Sequence, residues 1–564
     1  MFDIKQTGAK ILIQSLINEG VDTIFGYPGG AVIDIYDELV KTDIRHILAR
    51  HEQGAVHAAD GYARASGGVG VCLVTSGPGA TNTVTGIAAA YTDSIPVVIL
   101  TGQVPTQLIG NDAFQEVDIV GITRPCTKHN YLVTRIEDIA RVIKEAFHIA
   151  KSGRPGPVLV DLPKDLMSQT TRYKPPQEVK LKSYQPTYNP NGKQLQKVVG
   201  LIKKAKKPMV LAGGGVVLSK ASDGLTKFVK GIKAPIATTL MGLGVFPTKS
   251  RLWLGMIGMH GTYRANMSSA ECDLLIAIGV RFDDRVTGKT DEFAPNAKIV
   301  HVDIDPTSIR KNVPVSIPVV GDCKTTLDML NALLDKEQLG NIDELREPWL
   351  ERIDDWKDSK RLAYKQDKVI KPQYVIEKLY ELTGGEAIIT TEVGQNQMWA
   401  AQYYHFERPN CFITSGGLGC MGFGLPAAIG AQIACPDRLV VDIAGDGSIQ
   451  MNIQEMATAV QCNLPVKVVI LNNQYLGMVR QWQELFYDKR YACTNMEHAP
   501  DFLKLAQAYG AVGLRATRPD EVIPVLKEGL SIPKTVIMEF AVEREESVYP
   551  MVPAGAPISE MLLV

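Results

Sequence analysis

One layout occurs twice in this chain, and it limits the fold more than any other feature. VCLVTSGPGATNTVTGIAAAYTDSIPVVIL (71–100) and LVVDIAGDGSIQMNIQEMATAVQCNLPVKVVIL (439–471) each run strand, Gly-x-Gly loop, Asn, helix, Pro-Val, strand. Gly79 precedes Pro96 by 17 residues and Gly447 precedes Pro465 by 18. Apolar runs that alternate with helical stretches imply a parallel sheet covered by helices. The unit is a common one, so the likeness reflects either two related blocks or convergence on a frequent arrangement. If the blocks are related, a ligand can lie between them with one end on each.

The alternation places the chain in the α/β class and divides it into three parallel-sheet domains. The first covers 1–167. A linker, 168–193, is rich in Pro, Lys and Tyr without periodicity. The second, 194–336, contains the strands DLLIAIGVRFDD and KIVHVDIDP. A charged helical connection, 337–371, leads to the third domain, 372–540, and the tail, 541–564, reads as a possible lid over a site. At 564 residues the chain needs more than one core. Sixty basic and 61 acidic residues give a net charge of −1, with no electrostatic draw to nucleic acid or membrane. No apolar run approaches the ~20 residues of a membrane helix. The opening MFDIKQTGAK lacks the pattern of a secretory signal. Nine scattered cysteines, none in a Cys-x-x-Cys pair, read as buried reduced thiols. The expectation is a cytoplasmic protein with no nucleic-acid or membrane partner.

The second copy of the layout carries an acid that the first lacks. In VDIAGDGSIQMNIQEM (441–456), Asp446 sits between Gly445 and Gly447, after a buried strand and before a helix. A helix start offers free N–H groups to an anion, and a carboxylate there would repel a phosphate unless a cation lay between them. Twenty-four residues separate Gly447 from Asn472-Asn473, which ends the strand VKVVIL. A helix-length crossover brings Asp446 and Asn473 to the same sheet edge, where such folds bind ligands. Carboxylate, amide, turn carbonyl, phosphate and water oxygens make a set that suits Mg²⁺. Taken singly, Asp446 is also a helix cap and Asn472-Asn473 a turn.

The pair resembles the thiamine diphosphate signature, Gly-Asp-Gly followed by Asn-Asn. The resemblance implies a diphosphate-binding third domain, a pyrimidine-binding first domain and a nucleotide-binding-like central one. It assigns Asp446, Asn473 and Tyr475 to the metal. Val393, Gly394, Gln395, Asn396, Gly419, Met421, Gly445, Gly447, Ser448, Gly477 and Met478 join them around thiamine diphosphate. Asn396, in EVGQNQMW, stands where many relatives carry histidine. Glu52, in ARHEQGAVHAADGYARASG, matches the catalytic glutamate that hydrogen-bonds the aminopyrimidine and promotes the imino form that deprotonates the thiazolium. Alone, Glu52 is equally an ion-paired helix-start residue.

Over nearly the whole chain the sequence is similar to the catalytic subunit of acetohydroxyacid synthase. GNDAFQEVDIVGITRPCTKHNY (110–131), RFDDRVTGK (281–289) and GMVRQWQELFY (477–487) carry that choice. The resemblance places catalytic Gln115 with Phe114 and Lys164 at the reaction site. It gives Arg285 the carboxylate of the second 2-oxoacid, makes Trp482 the wall that favours 2-oxobutyrate over pyruvate, and adds Met259, Met478 and Val479 as apolar wall. It also implies FAD, held by Arg154, Gly213, Gly214, Thr239, Leu240, Met259, His260, Gly279, Arg281, Asp283, Arg285, Asp303 and Asp322. From the residues alone, Gly213-Gly214-Gly215 gives only part of a dinucleotide fingerprint, because Leu218 occupies the last glycine's place. The implied reaction decarboxylates pyruvate and condenses the two-carbon unit with a second 2-oxoacid, in branched-chain amino-acid synthesis. A homodimer or higher oligomer is expected, with a small regulatory subunit. The alternatives are an FAD-dependent pyruvate oxidase and, from another class, a non-catalytic binding homologue.

Overall fold

The computed structural model describes residues 5–337, 339–359 and 362–563. The opening MFDI and the closing Val564 lie outside them. Three six-stranded, all-parallel sheets form the molecule. The first has β1 (Thr23–Tyr27), β2 (Arg45–Leu48), β3 (Gly70–Val74), β4 (Val97–Gln103), β5 (His129–Leu132) and β6 (Val158–Pro163), ordered β2-β1-β3-β4-β6-β5. The second has β7 (Pro208–Ala212), β8 (Ile236–Thr238), β9 (Trp253–Met256), β10 (Leu274–Ile278), β11 (Lys298–Asp303) and β12 (Ile317–Val320), ordered β9-β8-β7-β10-β11-β12. The third has β13 (Ile388–Thr391), β14 (Phe412–Ile413), β15 (Val440–Gly445), β16 (Lys467–Asn472), β17 (Val512–Ala516) and β18 (Val536–Ala541), ordered β14-β13-β15-β16-β18-β17. Strands such as β10, LLIAI, are buried along the whole length and apolar throughout because helices cover both faces.

Counted within each sheet, the first and third share the order 2-1-3-4-6-5. The second has the order 3-2-1-4-5-6 of dinucleotide-binding sheets. The repeated layout seen in sequence is therefore a shared connectivity, and the incomplete glycine fingerprint sits on a sheet of the matching order.

Six helices position the candidate site: α1 (Glu52–Ser66), α2 (Val84–Asp93), α3 (Gln395–Tyr403), α4 (Gly424–Ala434), α5 (Glu455–Gln461) and α6 (Gly477–Phe486). Helices α1 and α4, which follow the second strand of their sheets, pack directly on one another. A Cβ on Gly61 would fall 2.2 Å from the Ala427 carbonyl oxygen, and one on Gly430 would fall 1.8 Å from that of Ala58. Glycine at both positions is what lets the helices approach so closely. One apolar cluster joins the second and third sheets, running from Ile276 and Val300 to Trp399, Phe406 and Val441.

The segments between sheets are more ordered than their composition suggests. Thr170–Arg172, in the stretch read as a linker, pairs antiparallel with Lys5–Thr7. The charged helix Ile342–Ser359 buries Trp349 and Ile353 in the second sheet's core. The tail also enters that core through Val552 and Ile558. Its backbone is tied by Val552 N–H to the Met259 carbonyl (2.8 Å) and by Val548 N–H to Gln481 Oε1 (2.8 Å). Among the described residues, no helix is long and apolar enough to cross a membrane.

Candidate active site

Parallel strands bring their carboxyl ends to one edge, and the candidate residues follow those ends. In the third sheet β15 and β16 are neighbours, with Gly445 opposite Leu471. Asp446 and Asn473 therefore meet, and the Asn473 backbone N–H donates to the Asp446 carboxylate. Asp446 is 1% exposed, yet its Oδ2 has no hydrogen-bond partner. Burial pushes its carboxyl up to about 7. An unpartnered, buried carboxylate oxygen beside an asparagine is costly unless a cation or donor answers it. Among the described residues, no group of three His, Cys, Asp or Glu side chains could hold a metal ion. A cation here would take its remaining ligands from amide, carbonyl and phosphate oxygens.

The surrounding residues hold this edge in place. Asn473 Nδ2 donates to Gln395 Oε1 (3.1 Å), and Tyr475 N–H donates to Asn473 Oδ1 (3.1 Å). Ser448 Oγ accepts from Gly445 N–H (3.1 Å). A Cβ on Gly477 would lie 2.1 Å from Gln395 Oε1 and 2.7 Å from Asn473 Nδ2, so a side chain there would displace the bonded Gln395–Asn473 pair. Gly447 is pressed against Leu476 in the same way. Asn396 donates both amide hydrogens to backbone carbonyls, those of Glu392 (3.0 Å) and Ile443 (2.8 Å). Val393 and Gly394 open α3 and line the main cavity beside Gly419. Met421 lies between Gly419 and α4.

That cavity, about 690 Å³, runs from the third sheet's edge across the carboxyl ends of the second sheet to the base of the first. Arg154, Gly214, Thr239, Leu240, Met259, His260, Gly279, Arg281, Asp283, Arg285, Asp303 and Asp322 all line it, with Met478 and Trp482. Gly213 does not; its N–H is bonded to the Ile278 carbonyl (3.0 Å), and Gly215 takes the lining place. Gly215 and Gly279 lie so close that a Cβ on either would come within 2.6 Å of the other's Cα. Arg154 is braced by Ser94 (2.8 Å) and Asp305 (3.3 Å). Burial pushes Asp303 up to about 6 and lowers the His260 imidazole to about 4. The latter is therefore neutral, with Nδ1 3.1 Å from the Pro550 carbonyl. Toward α6, the Arg285 guanidinium lies 5.9 Å from the Trp482 ring centre, and its Nη1 is 3.5 Å from Met259 Sδ. Val479 stands outside this wall, half exposed on α6.

The remaining candidates gather at the first sheet's edge. Glu52 opens α1 and accepts a hydrogen bond from Asn82 Nδ2 (2.9 Å); Gly79 packs against its carboxylate. Gln115, with φ +60°, crosses over Gly77, whose Cβ would meet Gln115 Cα at 2.9 Å. Phe114 beside it is 89% exposed. Lys164 begins the short helix after β6. Sequence reasoning missed the groups that hold these parts: Asn82, Glu392, Arg64 and Asp93. Glu392 caps α4, accepting from Gly422 N–H (2.5 Å) and Leu425 N–H (3.1 Å). Burial, with Asp442 close by, drives its carboxyl upward. Only the position of Glu392 directly after β13 hinted at such a role.

Three family models match in chain order. Residues 6–122 match the N-terminal TPP binding domain of thiamine pyrophosphate enzymes, 195–330 their central domain, and 392–540 their C-terminal TPP binding domain. The chain is 50% identical to the acetolactate synthase large subunit of Haemophilus influenzae, covering 99% of this chain and 98% of that one. The chain belongs to the acetolactate synthase large-subunit family. It is also 51% identical to the isozyme 3 large subunit of Escherichia coli, over 99% and 98% of the two chains. A probable large subunit from Methanocaldococcus jannaschii is 49% identical, over 98% and 95%. It is thus a thiamine diphosphate-dependent enzyme of the acetolactate synthase type. The unpartnered oxygen of Asp446 and the glycine-tight turns at Gly447 and Gly477 fit the cofactor's charged end. The family's two TPP-binding segments lie on the two sheets of identical strand order, the first spanning β1 to β4 and the second β14 to β18.

Proposed function

We infer that this large-subunit family member makes 2-acetolactate from two pyruvates and 2-aceto-2-hydroxybutyrate from pyruvate and 2-oxobutyrate, feeding branched-chain amino-acid synthesis in the cytoplasm. The observation that carries this reading is the convergence of Arg285, Met259 and Trp482 on one wall of the cavity that also reaches Gly419 and Met478. A guanidinium over an indole offers a carboxylate a charged partner and an alkyl group a flat apolar surface. Thiamine diphosphate supplies the nucleophilic carbon and the electron sink for decarboxylation. Asp446, Asn473 and the Tyr475 carbonyl would hold Mg²⁺ against its diphosphate, and Met421 would support its bent shape. Glu52 would hold and move the proton at the pyrimidine ring. Gln115, Phe114 and Lys164 would line the reacting carbon, and Arg285 would orient the second 2-oxoacid.

The 3-2-1-4-5-6 sheet beneath the cavity supports FAD there, and the lining glycines Gly214, Gly215 and Gly279 would let it approach the backbone closely. Its place would be structural, because the condensation involves no net redox change. Glu52, Phe114, Gln115 and Lys164 sit on the first sheet's edge, whereas Asp446 and Asn473 sit on the third's. A homodimer in which each copy lends its first-sheet edge to the other's cradle unites the two sets, and a small regulatory subunit would complete the enzyme. The test is to supply purified protein with thiamine diphosphate, Mg²⁺ and FAD, add pyruvate with 2-oxobutyrate, and identify the products. The two acetohydroxyacids are expected; acetaldehyde or acetate as main product would overturn the assignment.

A further inference from the structure

The loop that carries Gly419 and Met421 belongs to the third sheet, joining β14 to α4, yet much of what holds it comes from the first. Asp93, the last residue of α2, accepts from two consecutive loop amides, Gly416 N–H at Oδ2 (3.0 Å) and Gly417 N–H at Oδ1 (2.7 Å). Arg64, on α1, donates to Asp93 Oδ2 (3.0 Å), to Asp60 Oδ1 (2.6 Å) and to the Thr414 carbonyl (2.9 Å). All three charged side chains are buried. The second sheet closes in from another side, where a Cβ on Gly416 would fall 2.3 Å from Met241 Sδ, while Thr92, beside Asp93 on α2, would lie with its Cβ 2.8 Å from one on Gly417. Gly416-Gly417 is therefore a point where parts of all three sheets meet, and both glycines line the main cavity.

At the loop's far end, Glu392 accepts from Gly422 and Leu425, and Ser415 Oγ accepts from Cys420 N–H (3.1 Å). Between the two anchored ends, Leu418 is 45% exposed and Gly419 turns with φ +75°. A buried carboxylate that is answered by an arginine and two amides is fully satisfied, and it fixes its partners' positions. We propose that Asp93, braced by Arg64 and Asp60, is a positioning residue that sets the cofactor-facing segment Leu418–Met421 of its own chain. The inference rests on the reading above, in which this loop faces thiamine diphosphate. It adds that the first sheet serves the cofactor loop in the same chain through Asp93, apart from the part assigned to Glu52.

The experiment is a titration of cofactor-free full-length protein with thiamine diphosphate and Mg²⁺, followed by tryptophan fluorescence, for wild type, Asp93→Asn and Asp93→Glu. The KM for pyruvate at saturating cofactor and the Tm of the cofactor-free protein are measured alongside. Wild-type binding tests the underlying reading by itself; the difference between proteins tests the proposal. Asn offers one oxygen where two amides and a guanidinium were answered. Losing a charged hydrogen bond of this kind should raise the cofactor Kd about tenfold or more, while the pyruvate KM changes less than twofold and Asp93→Glu recovers part of the affinity. A cofactor Kd within twofold of wild type, or a Kd and KM that rise in parallel with the fall in Tm, would overturn it. If Asp93→Asn is insoluble, Arg64→Lys decides. It keeps the buried charge but loses the bond to Thr414, and it should raise the cofactor Kd with pyruvate KM unchanged; an unaltered Kd would count against the proposal.

Discussion

The first and third sheets have one connectivity and opposite equipment. After its third strand, the first presents Gly77-Pro78-Gly79 and the third Gly445-Asp446-Gly447. Proline offers no side-chain oxygen to a cation, whereas Asp446 keeps an oxygen free for one. After the fourth strand, the first sheet ends in Gln103, whose amide is engaged by Asp161 (2.9 Å) and the Val117 carbonyl (2.8 Å). The third ends in Asn472-Asn473, with Asn473 beside Asp446. After the second strand the roles reverse: the first places Glu52 at the start of α1, and the third runs through the loop bearing Met421 to α4. The frame fixes where a ligand end lies, and a few residues at the strand ends fix which end is held.

Exchanging the acids between tasks should separate the halves. Glu52→Gln keeps the size and the contact to Asn82 but cannot take up a proton. Acetohydroxyacid formation should fall at least about a hundredfold, the range of general acid–base contributions, with thiamine diphosphate binding retained in a fluorescence titration. A rate within threefold of wild type would refute the role. Asp446→Asn should do the converse, weakening Mg²⁺ at least by the about 10–100-fold that a lost supporting group costs a metal site. Pro78→Ala, at the matching place in the first sheet, should leave Mg²⁺ half-saturation unchanged. Equal Mg²⁺ requirements in the Asp446 and Pro78 variants would break the comparison.

A smaller effect belongs to the wall that neither half supplies alone. Trp482→Leu removes the flat surface beside Arg285, and a single methylene is worth about 1–3 kcal/mol in such a pocket. The ratio of 2-aceto-2-hydroxybutyrate to 2-acetolactate from mixed substrates should fall about tenfold, with total turnover less affected. A constant product ratio would remove Trp482 from the specificity wall.

The cation-side pair is legible from strand ends, because parallel strands bring their carboxyl ends, and the residues that follow them, to one edge. Asp446 and Asn473 are readable that way, whereas Glu52 and the residues from Arg281 to Arg285 come from the family resemblance. The central sheet was read only in part, because the close approach is made by Gly215 and Gly279, from different strands, and no linear fingerprint links them. Glu392, Arg64 and Asp93 were missed for a related reason. Each is an ordinary charged residue near a helix end, and its importance arises from amides that the fold brings to it across long chain separations. The tail lacked periodicity because its apolar residues pack singly, Val552 and Ile558 into another sheet's core.

The two sheets share one last device, and it yields the mildest prediction. Lys128 donates its ammonium to the carbonyls of Ile149 and Ser152, where the helix before β6 ends. Lys467 does the same for Ile532 and Lys534, ahead of β18. Burial lowers Lys128 from 10.5 to about 7 and Lys467 to about 8. Above those values and below 10.5, the unfolded chain holds a proton that the folded chain has released, so stability rises with pH through the window and is level beneath it. Wild type should therefore gain in Tm on Lys128→Met between pH 7 and 9, and on Lys467→Met only from about pH 8. Taking the difference between proteins cancels every other titration. A gap in Tm that stays level from pH 6 to 9 for both variants would show that burial does not lower either ammonium into this range.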